Sequence, residues 1–76
     1  MKVDHVITYT IDGIPQQTPE LCRRAREVLW HAGYDPSSTI LVLLGDHNER
    51  TRYLNRNLTI LLRHGQRFET EYEGTP

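Results

Sequence analysis

Few side chains in this sequence are placed to do chemistry of their own. Cys22 stands beside Leu21 where a helix is expected to begin, and a helix N-terminus can lower a thiol pKa. No histidine or acid lies at a diagnostic spacing from it, so it reads as a small, half-buried apolar residue. His5, His31, His47 and His64 make no H-x-x-x-H pattern, and no C-x-x-C or metal-type carboxylate cluster accompanies them. They are expected at the surface, with His31 suiting the negative end of a helix dipole. Arg23, Arg24 and Arg26 place three guanidinium groups on the first turns of that helix. They read as a solvated face or as a contact for an acidic partner. Nucleic acid is a poor alternative without interleaved aromatics or net positive charge. No acid/base pair, nucleophile or ligand set emerges, so neither an enzyme, a bound cofactor nor a metal is expected.

Composition narrows the classes further. The chain has 76 residues, enough for one small domain in which every large apolar side chain counts. Nine Lys plus Arg against ten Asp plus Glu leave a formal net charge of −1, which gives no pull toward nucleic acid or anionic membrane. The longest apolar run, Ile40-Leu41-Val42-Leu43-Leu44, falls far short of the ~20 residues of a spanning helix. Met1-Lys2-Val3-Asp4-His5 leads into no signal-peptide core, and the single cysteine suits a reducing cytoplasm. Arginine outnumbers lysine eight to one, Lys2 being the only lysine. Codon bias accounts for that, or lysine amines are unwelcome on this surface.

The remaining residues must build the frame. From His5 to Ile11 the chain alternates, with Ile7, Tyr9 and Ile11 on one side and Val6, Thr8 and Thr10 on the other, which predicts a strand. Asp12-Gly13 is a hairpin signal. The return strand, Ile14 to Gln17, carries Pro15 and belongs on a sheet edge. Thr18-Pro19-Glu20 reads as a helix start, with Leu21, Ala25, Val28, Leu29 and Ala32 as its apolar stripe and Gly33 as the residue that ends it. Trp30 is one position off the stripe and either seals the core edge or stands exposed as an interface anchor. Strands are predicted over Thr39–Leu44, Thr51–Leu54 and Arg67–Tyr72, with turns at Gly45–Asn48 and Asn55–Asn57. Leu58, Ile60, Leu61 and Leu62 are expected to form a tight connection or a single helical turn. In the last strand Phe68 and Thr70 share one face, and Arg67, Glu69 and Glu71 the other. One amphipathic helix covers only one face of such a sheet. The order predicts an α+β domain of β-grasp type over residues 1–72, its last strand parallel to its first, followed by a flexible polar tail over 73–76.

Ile11-Asp12-Gly13, then Arg26-Glu27-Val28-Leu29 with Ala32-Gly33 and Asp35-Pro36, then Leu43-x-Gly45, then Gly65-x-Arg67-Phe68-x-Thr70, together resemble the bacterial multiubiquitin family of ubiquitin-like proteins. The resemblance runs from Ile7 to Thr70. It implies a ubiquitin-like β-grasp fold and an operon setting with an E1-like activating enzyme, an E2-like conjugating enzyme and a JAB/MPN-type peptidase, in some cases linked to antiphage defence. It implies a cytoplasmic modifier of protein targets, with ATP and Mg²⁺ used by the E1-like partner. Family members often carry tandem domains and this chain has one. Conjugated modifiers end in Gly, whereas this sequence ends Glu73-Gly74-Thr75-Pro76. Gly74 is therefore the expected conjugation point, with Thr75 and Pro76 removed by the peptidase.

Ubiquitin-like proteins meet partners on the outer sheet face. If Leu41 and Leu43 face the helix, Ile40, Val42 and Leu44 form an apolar patch there, unless Leu62, Tyr53 or Tyr72 covers it. That patch, with Tyr72 and Glu73 at the root of the tail, is the expected partner surface. The alternatives are a non-conjugated β-grasp interaction module and, more weakly, a sulfur carrier, which would typically end in Gly-Gly.

Overall fold

The computed structural model describes the backbone from residue 2 to residue 73 and the side chains from residue 6 to residue 73. The first hairpin follows from the alternating pattern. β1 (Lys2–Ile11) and β2 (Ile14–Glu20) are antiparallel and joined by Asp12 and Gly13, at φ 52° and 80°. Two successive positive φ values define the tight turn whose twist matches the strands it joins. Ile7, Tyr9 and Ile11 all enter the core, as the alternation predicts.

The chain between Thr18 and Arg24 corrects the predicted helix start. Thr18 is buried opposite Ile7 inside β2, and its Oγ1 accepts from the N–H of Glu20 rather than capping a helix. Cys22–Arg24 form a short strand, β3, and α1 spans only Ala25–His31. The physical cause lies far along the chain. Leu58–Leu62, expected as a connection or helical turn, instead contain a strand paired with β3, and the N–H of Leu62 donates to Leu21 O at 2.8 Å. Those long-range bonds occupy backbone groups that an earlier helical turn would need. The helix then starts where the same segment can receive its free N–H groups: Ala25 N–H donates to Leu58 O and Arg26 N–H to Arg56 O. Glu27 Oε1 accepts from the N–H of Arg24 at 3.1 Å, closing the first turn. Gly33, at φ 90°, ends the helix as expected, with Gly33 N–H on Trp30 O and Tyr34 N–H on Leu29 O.

β4 (Thr39–Leu44) is followed by a 3-10 turn at Asp46–Asn48, β5 (Arg50–Tyr53), β6 (Thr59–Leu61) and β7 (Arg67–Tyr72). The main sheet has the order β2-β1-β7-β4-β5. β7 is parallel to β1 and antiparallel to β4, and β3 and β6 make a separate two-stranded sheet. The result is an α+β domain in which one helix covers one face of a mixed five-stranded sheet. Ala25, Val28 and Leu29 of α1 pack on Ile7, Tyr9, Ile11, Leu41 and Phe68 from the sheet and on Ile60 and Leu62. Tyr9 and Phe68 meet edge to face, with ring centroids 5.7 Å apart. Burial raises the Tyr9 pKa, and the nearby positive charge of Arg23 works against that rise.

Candidate functional site

Three places bear on function: the root of the C-terminal segment, the outer sheet face and the exposed side of α1. The root is built by β7, which ends with Tyr72 opposite Thr39. Past it the N–H of Glu73 donates to Ser38 O at 2.7 Å. The Glu73 carboxylate meets Arg56 Nη2 at 2.6 Å. Arg56 is itself held, its Nε donating to Thr39 O at 3.3 Å and its Nη1 to Leu54 O at 3.4 Å. Arg56 sits in the segment that receives the first N–H groups of α1, so one side chain links helix start, sheet end and tail root. Glu73, assigned from sequence to the tail, is thus bonded at both its N–H and its carboxylate. Gly74, the expected conjugation point, and Thr75 lie outside the described residues. Tyr72 is 76% exposed, as a partner contact at the root would need to be.

The outer sheet face differs from the expected apolar patch. The facing is as predicted, with Leu41 and Leu43 on the helix side. Yet Ile40 and Val42 are only 2% and 0% exposed, and Leu44 is half-buried. None of the expected covers does this: Leu62 lies in the core, Tyr53 packs against the core, and Tyr72 is exposed. The register supplies the cover instead. Val42 is flanked by Arg52 on β5 and Glu69 on β7, Ile40 by Glu71, and Leu44 by Arg50 and Arg67. Directly paired residues share a face, so these long side chains lie over the aliphatic ones. Arg50 binds Glu69 at 2.8 Å and Glu71 at 3.1 Å, and Arg52 binds Glu71 at 2.9 Å. The hydrogen bonds that Arg50 donates to Glu69 and then to Glu71 hold its pKa above its ordinary value. The expected partner residues Ile40, Val42 and Leu44 thus lie under a lattice of ion pairs, and what this face offers a partner is charge.

Asp12 gathers a further cluster. Its Oδ1 accepts from Thr70 N–H at 3.0 Å, and its Oδ2 accepts from Thr70 Oγ1 at 2.6 Å and from the Tyr34 hydroxyl at 2.8 Å. The carboxylate joins the hairpin turn, the segment after α1 and β7. Burial works to raise the Asp12 pKa, and the hydrogen bonds from Thr70 and Tyr34 outweigh it, so the net shift is downward. The bond to Asp12 in turn raises the Tyr34 pKa. The Asp-Gly pair announced the turn, but nothing in the sequence pointed to Tyr34 as its partner.

Trp30 is the other residue whose place only the structure settles. It is 70% exposed and so does not seal the edge of the core. Arg26 and Trp30, one turn apart on α1, line a shallow groove with Glu27, His31 and Pro36. Cys22 is exposed on β3 rather than at a helix end. His31, His47 and His64 are exposed, as expected, and the His5 side chain lies outside the described residues. Of the predicted arginine face, Arg23 and Arg24 belong to β3 and only Arg26 to the helix. Among the described residues no helix is long and apolar enough to cross a membrane. Comparison with protein-family models, with curated proteins and with solved structures returned no match.

Proposed function

We propose that this chain is a ubiquitin-like modifier of β-grasp type, trimmed to Gly74, activated by an E1-like enzyme and passed by an E2-like enzyme to protein targets. The observation that carries the reading is the strand order β2-β1-β7-β4-β5 with β1 and β7 parallel. That order, with one helix across one face, is compatible with a β-grasp fold and puts the last strand in the middle of the sheet. The chain therefore leaves from a braced position, with Glu73 held by Ser38 and Arg56 and the glycine next in line. A modifier supplies an acyl group and a recognition surface, and its partners supply the catalysis. Glycine at the acyl position has no Cβ to hinder a narrow enzyme channel. Cytoplasmic location and a role in antiphage defence belong to the same reading.

The test is the intact mass of the chain recovered from cells expressing its complete native operon, beside a peptidase-inactive control. The expected result is loss of Thr75 and Pro76 only when the peptidase is active, with ATP- and Mg²⁺-dependent thioester formation on the E1-like enzyme. An unchanged mass, with no higher-mass adducts of the chain, would put a second reading in front: a non-conjugated interaction module. That reading is favoured by the 70% exposure of Trp30, the one tryptophan of the chain.

A further inference from the structure

We propose that the groove beside Trp30 on α1 docks an acidic segment of a partner protein that carries an apolar side chain next to its carboxylate. This surface is separate from the tail, and the proposal stands whether or not the chain is conjugated. Three observations select the occupant. Trp30 is 70% exposed and shares its groove with Pro36, so an apolar side chain finds both an aromatic face and a proline ring there. An exposed aromatic set in a groove is the usual form of an interface anchor. Arg26 lines the same groove, and among the described residues its guanidinium, like those of Arg23, Arg24, Arg63 and Arg67, makes no ion pair; of these five only Arg26 lines the groove. The nearest acid on the helix, Glu27, is turned to the N–H of Arg24. The groove thus presents an apolar wall, the Glu27 carboxylate engaged at the helix start, and the Arg26 guanidinium without an ion pair, and that guanidinium beside the apolar wall is complementary to a carboxylate next to a Leu, Ile or Phe side chain. The outer sheet face lacks the apolar half of this pairing, because Ile40 and Val42 are covered.

The test is selection of a random dodecapeptide display library on the full chain, with counter-selection on Trp30→Ala. Trp30 is exposed, so that variant is expected to keep the native circular dichroism spectrum. Enriched peptides are expected to carry Asp or Glu within about two residues of a large apolar side chain. Their affinity should fall roughly tenfold or more in Arg26→Glu, weaken with salt, and be unchanged in Arg67→Glu, a cation on the sheet. Arg26→Glu keeps the backbone N–H that bonds Arg56 O and adds an acid near a helix start, so it should fold. Absence of enrichment, enrichment of peptides without acids, or equal loss in Arg26→Glu and Arg67→Glu would each overturn the proposal. Because the tail takes no part, any of these results leaves the modifier reading untouched, and failure of conjugation leaves this one untouched.

Discussion

At the scale of single residues, the Asp12 carboxylate ties the hairpin turn to β7 and to the segment after α1. Asp12 sits at φ 52°, a conformation Asp and Asn tolerate better than other side chains, and binds two groups of Thr70 and one of Tyr34. Asp12→Asn keeps the turn and one carbonyl oxygen but loses the negative charge, and Asp12→Ala loses every side-chain bond. Asp12→Ala is expected to cost about 1 kcal/mol, toward the low side for hydrogen bonds to a charged group because the carboxylate is largely solvated. Asp12→Asn is expected to cost less, and urea midpoints would rank the pair. The lowered pKa of Asp12 also has a sign in pH. A carboxyl whose folded pKa lies below its unfolded value stabilises above the unfolded value, about 3.9, and that contribution fades as pH falls through the lower folded value. Wild type should therefore lose stability relative to Asp12→Asn below about pH 4, and equal acid unfolding curves for the two would count against this role.

At the scale of elements, β2 is an edge strand of the sheet. Ile11 and Ile14 flank the two-residue turn and make a hydrogen-bonded pair, so Thr10 and Pro15 make a non-bonded pair. Thr10 N–H and Thr8 O bear this out by pointing away from β2, to Gln66 and Gly65. On β2, then, Pro15 and Gln17 face solvent at the edge, and Pro15 carries no N–H. Proline at this position costs no ladder bond and blocks strand addition. Replacing Pro15 with Val should leave the monomer folded and promote self-association, read by light scattering. A variant that stays monomeric would show that the edge is guarded by something else. At the end of α1, Gly33 has open space where a Cβ would sit, so Gly33→Ala meets only backbone strain at φ 90°. A loss of roughly 1 kcal/mol is expected in denaturant unfolding.

At the scale of the whole molecule, a small domain with one helix has two sheet faces and apolar cover for only one. The second face is closed by Arg50, Arg52, Glu69 and Glu71 lying over Ile40 and Val42. Exposed ion pairs add little stability one at a time, but here they also keep aliphatic surface from water. Glu71 bridges both arginines. Glu71→Ala should therefore uncover Ile40 and Val42, and the expected readout is new binding of a hydrophobic dye with circular dichroism preserved. No dye binding would mean the arginine stems alone suffice as cover. At this same scale, the Arg56–Glu73 pair sets where the C-terminal residues leave the sheet. Arg56→Ala should raise hydrogen exchange at the Glu73 amide while leaving the exchange of β1 and β7 unchanged.

The sequence by itself determined the features that depend on neighbours in the chain. Alternation set the inward residues of β1 and β7, Asp12-Gly13 set the hairpin turn, Gly33 ended the helix, and Pro15 marked an edge strand. The parallel pairing of the last strand with the first also followed, because a single helix and an opening hairpin leave few ways to complete the sheet. The tertiary structure decided what depends on partners distant in the chain. Thr18-Pro19-Glu20 carries good helix-start residues, yet pairing of Cys22–Arg24 with Thr59–Leu61 claimed the backbone that followed. Ile40, Val42 and Leu44 read as an exposed patch because the sequence does not say which arginines and glutamates fall beside them. The register of β4 with β5 and β7 settles that. The groove at Trp30 was open for the same reason: whether an aromatic one position off a helical stripe is buried depends on what packs beside it. Local conformational preference acts over a few residues, whereas burial and ion pairing are decided by segments the fold brings together.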